Sequence, residues 1–330
     1  MTTNSTGGAA LPRIAITMGD PAGVGPEIAV KALAHDEVLQ LCDPLVVGDL
    51  AVLRRAAEAM GREFGPSLER RVLDVGAMAI ADHAWGSATA AGGRAAAAYV
   101  ERSVELALAG EVAAIVTGPI NKDAIHQAQV PFPGHTEMLA SLTGTEDYAM
   151  MLVGPDLHVA HVSTHVSLRD AIDRVKRRRI ETVIALTDEA LKREGIAAPR
   201  IAVAGLNPHA GEGGMFGSEE IDEIEPAVRG AAQRGIEVSG PHPPDTVFLF
   251  AARGRYDAVI AMYHDQGHIP AKLAGFDTSV NVTIGLPIVR SSVDHGTAYD
   301  IAGTGSASES SLVEAIRYAA RAAHARAEAP

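Results

Sequence analysis

The sequence predicts an α/β protein of two lobes, in which helices cover both faces of a mostly parallel sheet. The chain has 330 residues, more than one hydrophobic core usually supports. Short apolar runs alternate with longer segments of helical period, as in repeated strand–helix–strand units. Aromatic residues make up only 4% of the chain, so small and β-branched side chains must fill the core. Such side chains suit a sheet that is buried on both faces.

Eight apolar runs bounded by turn residues are predicted to be strands. Pro155 and Asp156 separate two of them and predict a hairpin. The eight predicted strands are 13–17, 44–48, 112–118, 148–154, 157–163, 200–205, 257–262 and 279–284.

Five segments between and after these strands carry the period of a helix. One of them ends at Gly110, a residue type that commonly ends helices, and another begins at Ser167, whose hydroxyl can cap a free N–H. The predicted helices are 26–34, 50–61, 87–110, 167–195 and 308–327.

Composition excludes several classes of partner. The formal charge is −13, from 28 basic and 41 acidic residues, so neither nucleic acid nor an anionic membrane surface is expected to bind. No apolar run is long enough to span a bilayer. The single cysteine, Cys42, cannot form an internal disulfide, which favours a cytoplasmic location. Residues 1–12 lack the pattern of a signal peptide and are expected to form a disordered tail.

Polar residues follow several of the predicted strands. Ligands of open α/β sheets bind beyond the carboxyl ends of strands, so these residues are candidates for one site. Three of them are histidines, and three neutral imidazoles can hold a divalent metal ion, although a hydrogen-bonded structural role is the alternative for each. The strand-end candidates are His165, Asn207, His209, His264, Asp265, His268, Asn281 and Arg290.

Further candidates lie in loops. Lys122 follows the predicted strand 112–118. His135 and Thr136 stand just before a helix, where N–H groups suit a phosphate or carboxylate, although Thr136 could simply cap that helix. Arg290 can bind an oxyanion through two parallel hydrogen bonds. The Gly-, Asp- and Thr-rich segment 291–305 is expected to be a ligand-facing loop.

Two other motifs are given structural interpretations. The loop "MGDPAGVGPE" has neither the order of glycines that binds dinucleotides nor the lysine of a P-loop, so its glycines are expected to form a tight turn. The basic run 174–179 lies beside Asp170 and Asp173 on a predicted helix and is expected to be a solvated face.

Seven motifs, in order, resemble the 4-hydroxythreonine-4-phosphate dehydrogenase family from about Arg13 to about Ala320. They are "ITMGDPAGVGPE", "VTGPINK", "PGHTE", "LNPHAGEGG", "YHDQG", "NVTIGLP" and "SVDHGTAYDIAGTG". That family is similar in fold to isocitrate and isopropylmalate dehydrogenases. The resemblance therefore implies two discontinuous α/β/α lobes with the active site in the cleft. We expect residues 13–125 and 285–330 on the cofactor side, and residues 126–284 on the metal and dimer side.

The resemblance also implies the reaction. Hydride would pass from C3 of a 4-phosphorylated 3-hydroxy acid to NAD or NADP, and decarboxylation would follow. A divalent metal, most often zinc, with magnesium, manganese or cobalt as alternatives, would be held by His165, His209 and His264. One of these ligands would come from the other chain of a homodimer that shares its active sites.

Further roles come from the resemblance, residue by residue. The candidate general bases are Lys122 or a metal-bound water, and Asp265 and Asp245 are candidates to orient a ligand histidine. The substrate would be bound by His135, Thr136, Lys272, Asn281 and Arg290. The segment "DHGTAYDIAGTG" resembles an adenine-binding loop, which assigns Asp294, His295, Gly296, Thr297, Ala298 and Asp300 to the cofactor.

One departure concerns the substrate. After "YHDQG" the chain reads "HIPAK", where the enzymes of pyridoxine biosynthesis, which act on 4-phosphohydroxy-L-threonine, tend to read "LPVLK". This is more similar to the branch that acts on 4-phospho-D-threonate and 4-phospho-D-erythronate, and it places His268 at the difference. The alternatives are a dihydrodiol dicarboxylate dehydrogenase, a phosphate acyltransferase of related fold and a non-catalytic binding protein.

Overall fold

The computed structural model describes residues 11–275 and 278–328. Most of the tail predicted for residues 1–12 lies outside the described residues. The strands are β1 Arg13–Thr17, β2 Asp43–Gly48, β3 Val72–Asp74, β4 Ala114–Thr117, β5 Ala149–Val153, β6 His158–His161, β7 Ile201–Ala204, β8 Val238–His242, β9 Ala258–Ala261, β10 Val280–Ile284 and β11 Val289–Ser292.

The strands form one mixed sheet in the order β3-β2-β1-β4-β11-β10-β5-β6-β9-β7-β8. Only the pairs β11–β10, β10–β5 and β5–β6 are antiparallel among the described strands. The predicted α/β class and the mostly parallel sheet are therefore confirmed. The hairpin predicted at Pro155 and Asp156 is confirmed as well, because β5 and β6 pair directly.

Strand order separates two groups. The strands β3, β2, β1, β4 and β11 come from residues 13–125 and 285–330, and the other six come from residues 126–284. The groups meet where β11 and β10 pair. This order supports the division into two lobes, which stays a prediction. The largest cluster of buried apolar side chains draws on both groups, since it contains Ile14 and Val116 as well as Met151 and Ile260.

Helices cover the sheet, and among the described residues none combines the length and the apolar character needed to cross a bilayer. They are α1 Gly25–Leu33, α2 Asp36–Leu41, α3 Leu50–Ala59, α4 Pro66–Glu69, α5 Ala90–Leu108, α6 Lys122–Gln127, α7 His135–Leu142, α8 Leu168–Asp173, α9 Arg177–Arg193, α10 Glu225–Gln233, α11 Pro244–Ala252, α12 His264–Gly275 and α13 Ser310–Glu328.

The helix predicted over residues 167–195 is wrong as a single element. Ser167 does cap its start, because its Oγ accepts from the N–H of Asp170 at 3.1 Å. The chain then leaves the helix after Asp173 and begins α9 at Arg177. Glu223, from another part of the chain, accepts from the N–H of Arg177 at 2.7 Å. This tertiary cap starts a new helix where the period alone predicts continuation.

Candidate functional site

A cavity of about 470 Å³ lies beside the carboxyl ends of the parallel neighbours β6 and β9. His165 follows β6, and His264 begins α12 directly after β9. Six of the lining residues are predicted site residues, and a seventh is His268. The lining residues are Met150, His165, His264, Asp265, His268, Ile269, Lys272, Asn281 and Asp294.

Two predicted metal ligands face each other in this cavity. The ring centroids of His165 and His264 are 5.5 Å apart. The Nδ1 atom of His264 lies 2.6 Å from Oδ1 of Asp265, so Nε2 is the ring nitrogen left for an ion. Burial lowers the pKa of His165, and the positive charge of Lys122 lowers it further. Both effects favour the neutral form of His165, which is the form that ligates metal ions.

His209, the third predicted metal ligand, does not line this cavity. It is exposed, and its Nδ1 is 3.2 Å from Oε2 of Glu212. Residues 209–213 all have positive φ, a left-handed turn that three non-glycine residues adopt at a cost in backbone free energy. Buried Glu220 holds the preceding chain by accepting from the N–H groups of Leu206 and Asn207 at 2.7 and 2.8 Å. Within the described part of one chain, no three His, Cys, Asp or Glu residues are arranged to hold a metal ion.

A buried cation lies near the cavity but does not line it. The guanidinium of Arg290 donates to Oγ1 of Thr117 at 2.7 and 3.2 Å and to Oγ1 of Thr283 at 2.8 Å. Burial lowers the pKa of Arg290 to about 9, and the carboxylate of Glu137 opposes this only in part. Burial, together with the charge of Arg290, holds the pKa of His135 well below its ordinary value.

Some buried polar atoms lack a hydrogen-bond partner among the described residues. They include Nε2 of His135 and Oδ1 of Asn281. Buried polar atoms are rarely left unpaired unless a ligand or water completes them. Asn281 lines the cavity that holds His264, and in the same cavity Nζ of Lys272 is 3.1 Å from Oδ2 of Asp294. These groups suit a small ligand with several oxygen atoms.

A second cavity of about 450 Å³ adjoins the first and shares Met150 and His165 with it. Thr136 lines it. Gly134, not Thr136, is the residue that precedes α7, so the capping alternative for Thr136 is excluded. Most of the basic run 174–179 is exposed, but the run is not only a solvated face, because Arg174, Lys176 and Arg179 line this cavity. Arg179 is half-buried and donates to the carbonyl oxygen of Val162 at 3.1 Å.

The remaining catalytic candidates, Lys122 and Asp245, do not line the cavity that holds His264. Lys122 is exposed at the start of α6, which is capped by Asn121. Asp245, in the first turn of α11, lines an apolar cavity of about 830 Å³. Asp265 and Ile269 belong to both this cavity and the one that holds His264. Asp245 does not line the cavity that holds the histidine pair.

The predicted cofactor loop packs on the glycine-rich loop after β1. The N–H of Val24 donates to the carbonyl oxygen of Thr297 at 2.9 Å, and the hydroxyl of Tyr299 donates to Asp20 at 2.6 Å. A Cβ at Gly23 would lie 2.7 Å from the Thr297 oxygen, so glycine is required there for this contact and not only for a turn. His295 is exposed, and Ala298 has a φ of 41°.

Sequence reasoning missed His161. It lies fully buried at the end of β6, with its ring centroid 4.7 Å from that of His268. A histidine inside the apolar run "LHVAHVS" was the available signal.

Comparison with known proteins covers nearly the whole chain. The sequence model of the family described as pyridoxal phosphate biosynthetic protein PdxA matches residues 40–319. The D-threonate 4-phosphate dehydrogenase of Cupriavidus necator is 49% identical over 96% of this chain and 99% of its own length. The enzyme of that name from Salmonella typhimurium is 50% identical over 93% and 97%. A crystal structure of 4-hydroxythreonine-4-phosphate dehydrogenase from Klebsiella pneumoniae is 47% identical, with a TM-score of 0.86, and covers 94% of this chain and 99% of that one.

Proposed function

Because the chain belongs to the pyridoxal phosphate biosynthetic protein PdxA family, we propose that it oxidises 4-phospho-D-threonate at C3 with NAD or NADP, followed by decarboxylation. The observation that carries this is the cavity in which a histidine pair, Lys272 and Asn281 converge. The names of the two relatives given above support the substrate. The related acids 4-phospho-D-erythronate and 4-phosphohydroxy-L-threonine are the other substrates that the site would admit.

The donor set fits a divalent metal ion. Two imidazoles that share a tetrahedral ion have ring centroids roughly 5 Å apart, close to the separation of His165 and His264. We assign the third ligand to His209 of the partner subunit, since His209 is exposed and does not line the cavity of its own chain. Three imidazoles favour zinc or cobalt over manganese and magnesium. When bound, such an ion polarises a hydroxyl oxygen.

The chain's own residues position the anionic ends of the substrate. Lys272 and Arg290 supply the positive charge, and His135 and Thr136 supply hydrogen bonds beside it. Arg290 is held by two threonine hydroxyls and has no direct ion pair among the described residues, so an incoming anion would be its first directly bound negative charge. Lys122 is the proposed general base, since its side chain lies close enough to His165 to influence that imidazole.

A nicotinamide cofactor, when bound, accepts the hydride. We propose that the loop 294–300 binds it on the lobe formed by residues 13–125 and 285–330. The contacts of this loop with the loop after β1 support that placement, and Asp294 lines the substrate cavity. Lobe 126–284 would contribute the histidines, so the reaction would take place in the cleft between the lobes.

A second copy of this chain is the proposed partner. The apolar cavity of about 830 Å³ is continuous with the site through Asp265 and Ile269. Leu273 is 84% exposed and Ile269 59% exposed along its wall, which is unusual for large apolar side chains. A twofold partner would cover this surface and bring its own His209 to the site. The single, buried Cys42 supports the proposed cytoplasmic location.

Absorbance of NADH or NADPH tests the proposal. The purified protein is given each of the three phosphorylated acids with each cofactor, before and after chelation and re-addition of zinc, manganese or cobalt. We expect turnover of 4-phospho-D-threonate that is lost on chelation, restored by the metal and absent from His264→Ala. Turnover of only an unphosphorylated dihydrodiol dicarboxylate, or acyl transfer without reduction of either cofactor, would contradict it.

A further inference from the structure

Two buried histidines form a hydrogen-bonded pair behind the substrate cavity. His161, at the end of β6, is fully buried, and His268, on α12, is 8% exposed. Nε2 of His161 and Nδ1 of His268 are 3.2 Å apart. The ring of His268 also stacks on that of His264, with centroids 3.6 Å apart and planes within 11° of parallel. The pair therefore lies directly behind one of the proposed metal ligands.

The surrounding carbonyl groups determine where the ring hydrogens lie. Nδ1 of His161 lies 3.4 Å from the carbonyl oxygen of Met150, and a carbonyl can only accept, so this nitrogen carries the hydrogen. Nε2 of His161 is then an acceptor. Nδ1 of His268 faces that acceptor and, at 3.1 Å, the carbonyl oxygen of His264, so it is a donor. The remaining nitrogen, Nε2 of His268, is left with a lone pair.

That lone pair belongs to a ring that lines the substrate cavity. No hydrogen-bond partner for Nε2 of His268 exists among the described residues, and the ring is part of the cavity wall. A ring flip would put C–H groups against both acceptors and lose two hydrogen bonds. His161 and the His264 carbonyl therefore hold the ring in one orientation.

A glycine on α12, Gly267, leaves the space that this pair occupies. A Cβ at Gly267 would lie 2.4 Å from Nε2 of His161 and 2.7 Å from Cγ1 of Val159. Any side chain there would push α12 away from β6. Gly267 thus lets the helix approach closely enough for His268 to reach His161.

We propose that Nε2 of His268 accepts a hydrogen bond from the C2 hydroxyl of the substrate, and that His161 is the positioning residue that orients it. This rests on the proposed function. In that function the C3 oxygen faces the ligand pair His165 and His264, and cationic and histidine groups bind the carboxylate and the phosphate. The C2 hydroxyl is then the substrate's one remaining hydrogen-bond donor, and His268 is the cavity's correctly oriented acceptor.

A double-mutant-type cycle tests the contact: the side chain of His268 is removed from the enzyme, the C2 hydroxyl is removed from the substrate, and kcat/KM is compared for the four combinations. The two substrates are 4-phospho-D-threonate and 3-hydroxy-4-phosphobutanoate, which lacks only the C2 hydroxyl. For the wild type we expect kcat/KM to fall about 10- to 100-fold on removal of that hydroxyl. For His268→Leu we expect a difference of less than about 3-fold. Discrimination that persists at the wild-type level in His268→Leu would overturn the proposal.

Variants of His161 test the positioning. Gln offers an oxygen acceptor near the place of Nε2, whereas Leu offers none. We expect His161→Leu to lose most of the C2-hydroxyl discrimination and His161→Gln to recover it. His158→Gln is the matched control, since His158 lies on the same strand beside Glu194 and away from the cavity. Equal discrimination in His161→Leu and the wild type would overturn the role of His161.

Nitrogen-15 spectra of histidine-labelled full-length protein separate this inference from the proposed function. We expect both His161 and His268 to carry their hydrogen on Nδ1, and His161→Leu to mix the orientations of His268. A hydrogen on Nε2 of His268 would overturn the inference whatever the enzyme turns over. If the wild type oxidises none of the phosphorylated acids, the proposed function fails, and the C2-hydroxyl contact fails with it.

Discussion

At the scale of single residues, the burial of Arg290 lowers the stability of the fold, and the residue is therefore expected to serve binding. Its guanidinium is buried and held by two threonine hydroxyls. Its folded-state pKa, about 9, lies below its ordinary value of 12.5. The charged form therefore costs stability throughout the pH range below the folded pKa. A residue kept at such a cost is expected to serve a ligand.

We predict that Arg290→Met lowers kcat/KM by roughly 100-fold or more, because a buried charge-assisted contact to the anion is lost. The free energy of unfolding should fall by no more than about 1 kcal/mol, since a buried charge without a carboxylate partner is removed as well. Steady-state kinetics and urea unfolding measure both. Arg290→Lys, which keeps the charge but not the two-armed donor, should be intermediate in activity. Wild-type kinetics in Arg290→Met would contradict the assignment.

His161 gives a prediction about pH. Burial, followed by the charge of His268, lowers its pKa from 6.5 to about 3. The unfolded chain therefore binds a proton below pH 6.5 that the folded chain does not. Stability present above pH 6.5 is lost as the pH falls toward the folded value.

At pH 5 this histidine should cost the wild type about 2 kcal/mol of unfolding free energy relative to pH 7.5. His161→Gln lacks the titrating group, so its stability should fall by correspondingly less over the same interval. Urea unfolding of both proteins at the two pH values measures the difference. Parallel losses in the two proteins would show that His161 takes up its proton in the folded state.

The strand-end argument predicts single residues well where a polar group follows an apolar strand. His165, His264 and Asp265 were found in this way, and all three line the cavity. The argument does not find His161, because this residue lies inside the predicted strand 157–163 and not after it, so its only signal is a histidine within an apolar run. It also cannot show that Thr117 holds Arg290, since that contact joins residues 173 positions apart.

At the scale of elements, the start of α12 builds the site. β9 ends at Ala261 and the helix begins at His264, so a proposed ligand stands at the first position of a helix. Periodicity predicted the strand but no helix here, because "HDQGHIPAK" contains a glycine, a proline and few apolar residues. Packing of α12 on β6 and β9 overrides these weak propensities. Local sequence patterns also do not show the division of the predicted helix 167–195, because the new helix start depends on a tertiary contact with Glu223.

We predict that Gly267→Ala separates α12 from β6, because the added methyl group would overlap His161 and Val159. The free energy of unfolding should fall by about 1–3 kcal/mol, and kcat/KM should fall at temperatures where the protein is fully folded. The double variant Gly267→Ala/His161→Ala removes one of the overlapping groups and should recover part of the lost stability. Thermal and urea unfolding measure both. Strictly additive losses would contradict this packing.

At the scale of the whole molecule, the apolar surface around Leu273 is the proposed contact with a second copy of the chain. The net charge of −13 gives copies of the chain no electrostatic reason to associate, so apolar burial must supply the attraction.

The family, the α/β class and the dehydrogenase class were all predicted from the sequence and are confirmed. The two-lobe boundaries, the metal and the dimer stay predictions. The metal and the dimer depend on groups that lie beyond a single chain.

We predict that Leu273→Glu yields a monomer that retains the wild-type secondary structure but less than about 1% of its activity, because each site would lose His209 of the partner subunit. Light scattering after size-exclusion chromatography measures the mass. Leu108→Glu is the matched control, since Leu108 is 54% exposed at the end of α5 and lines none of the cavities described above. A fully active monomer would contradict the shared site.

The central claim is that three histidines from two chains meet at one metal site. Complementation between two inactive chains tests this claim most directly. His264→Ala and His209→Ala chains are purified separately, mixed by denaturation and refolding, and assayed with 4-phospho-D-threonate and the cofactor. If His165 and His264 of one chain meet His209 of the partner subunit, half of the sites in each mixed dimer are intact. Activity should then return to about one quarter of the wild-type value at statistical mixing. If the mixture stays as inactive as its two parents while refolded wild type recovers, the three histidines do not meet across a dimer in this way.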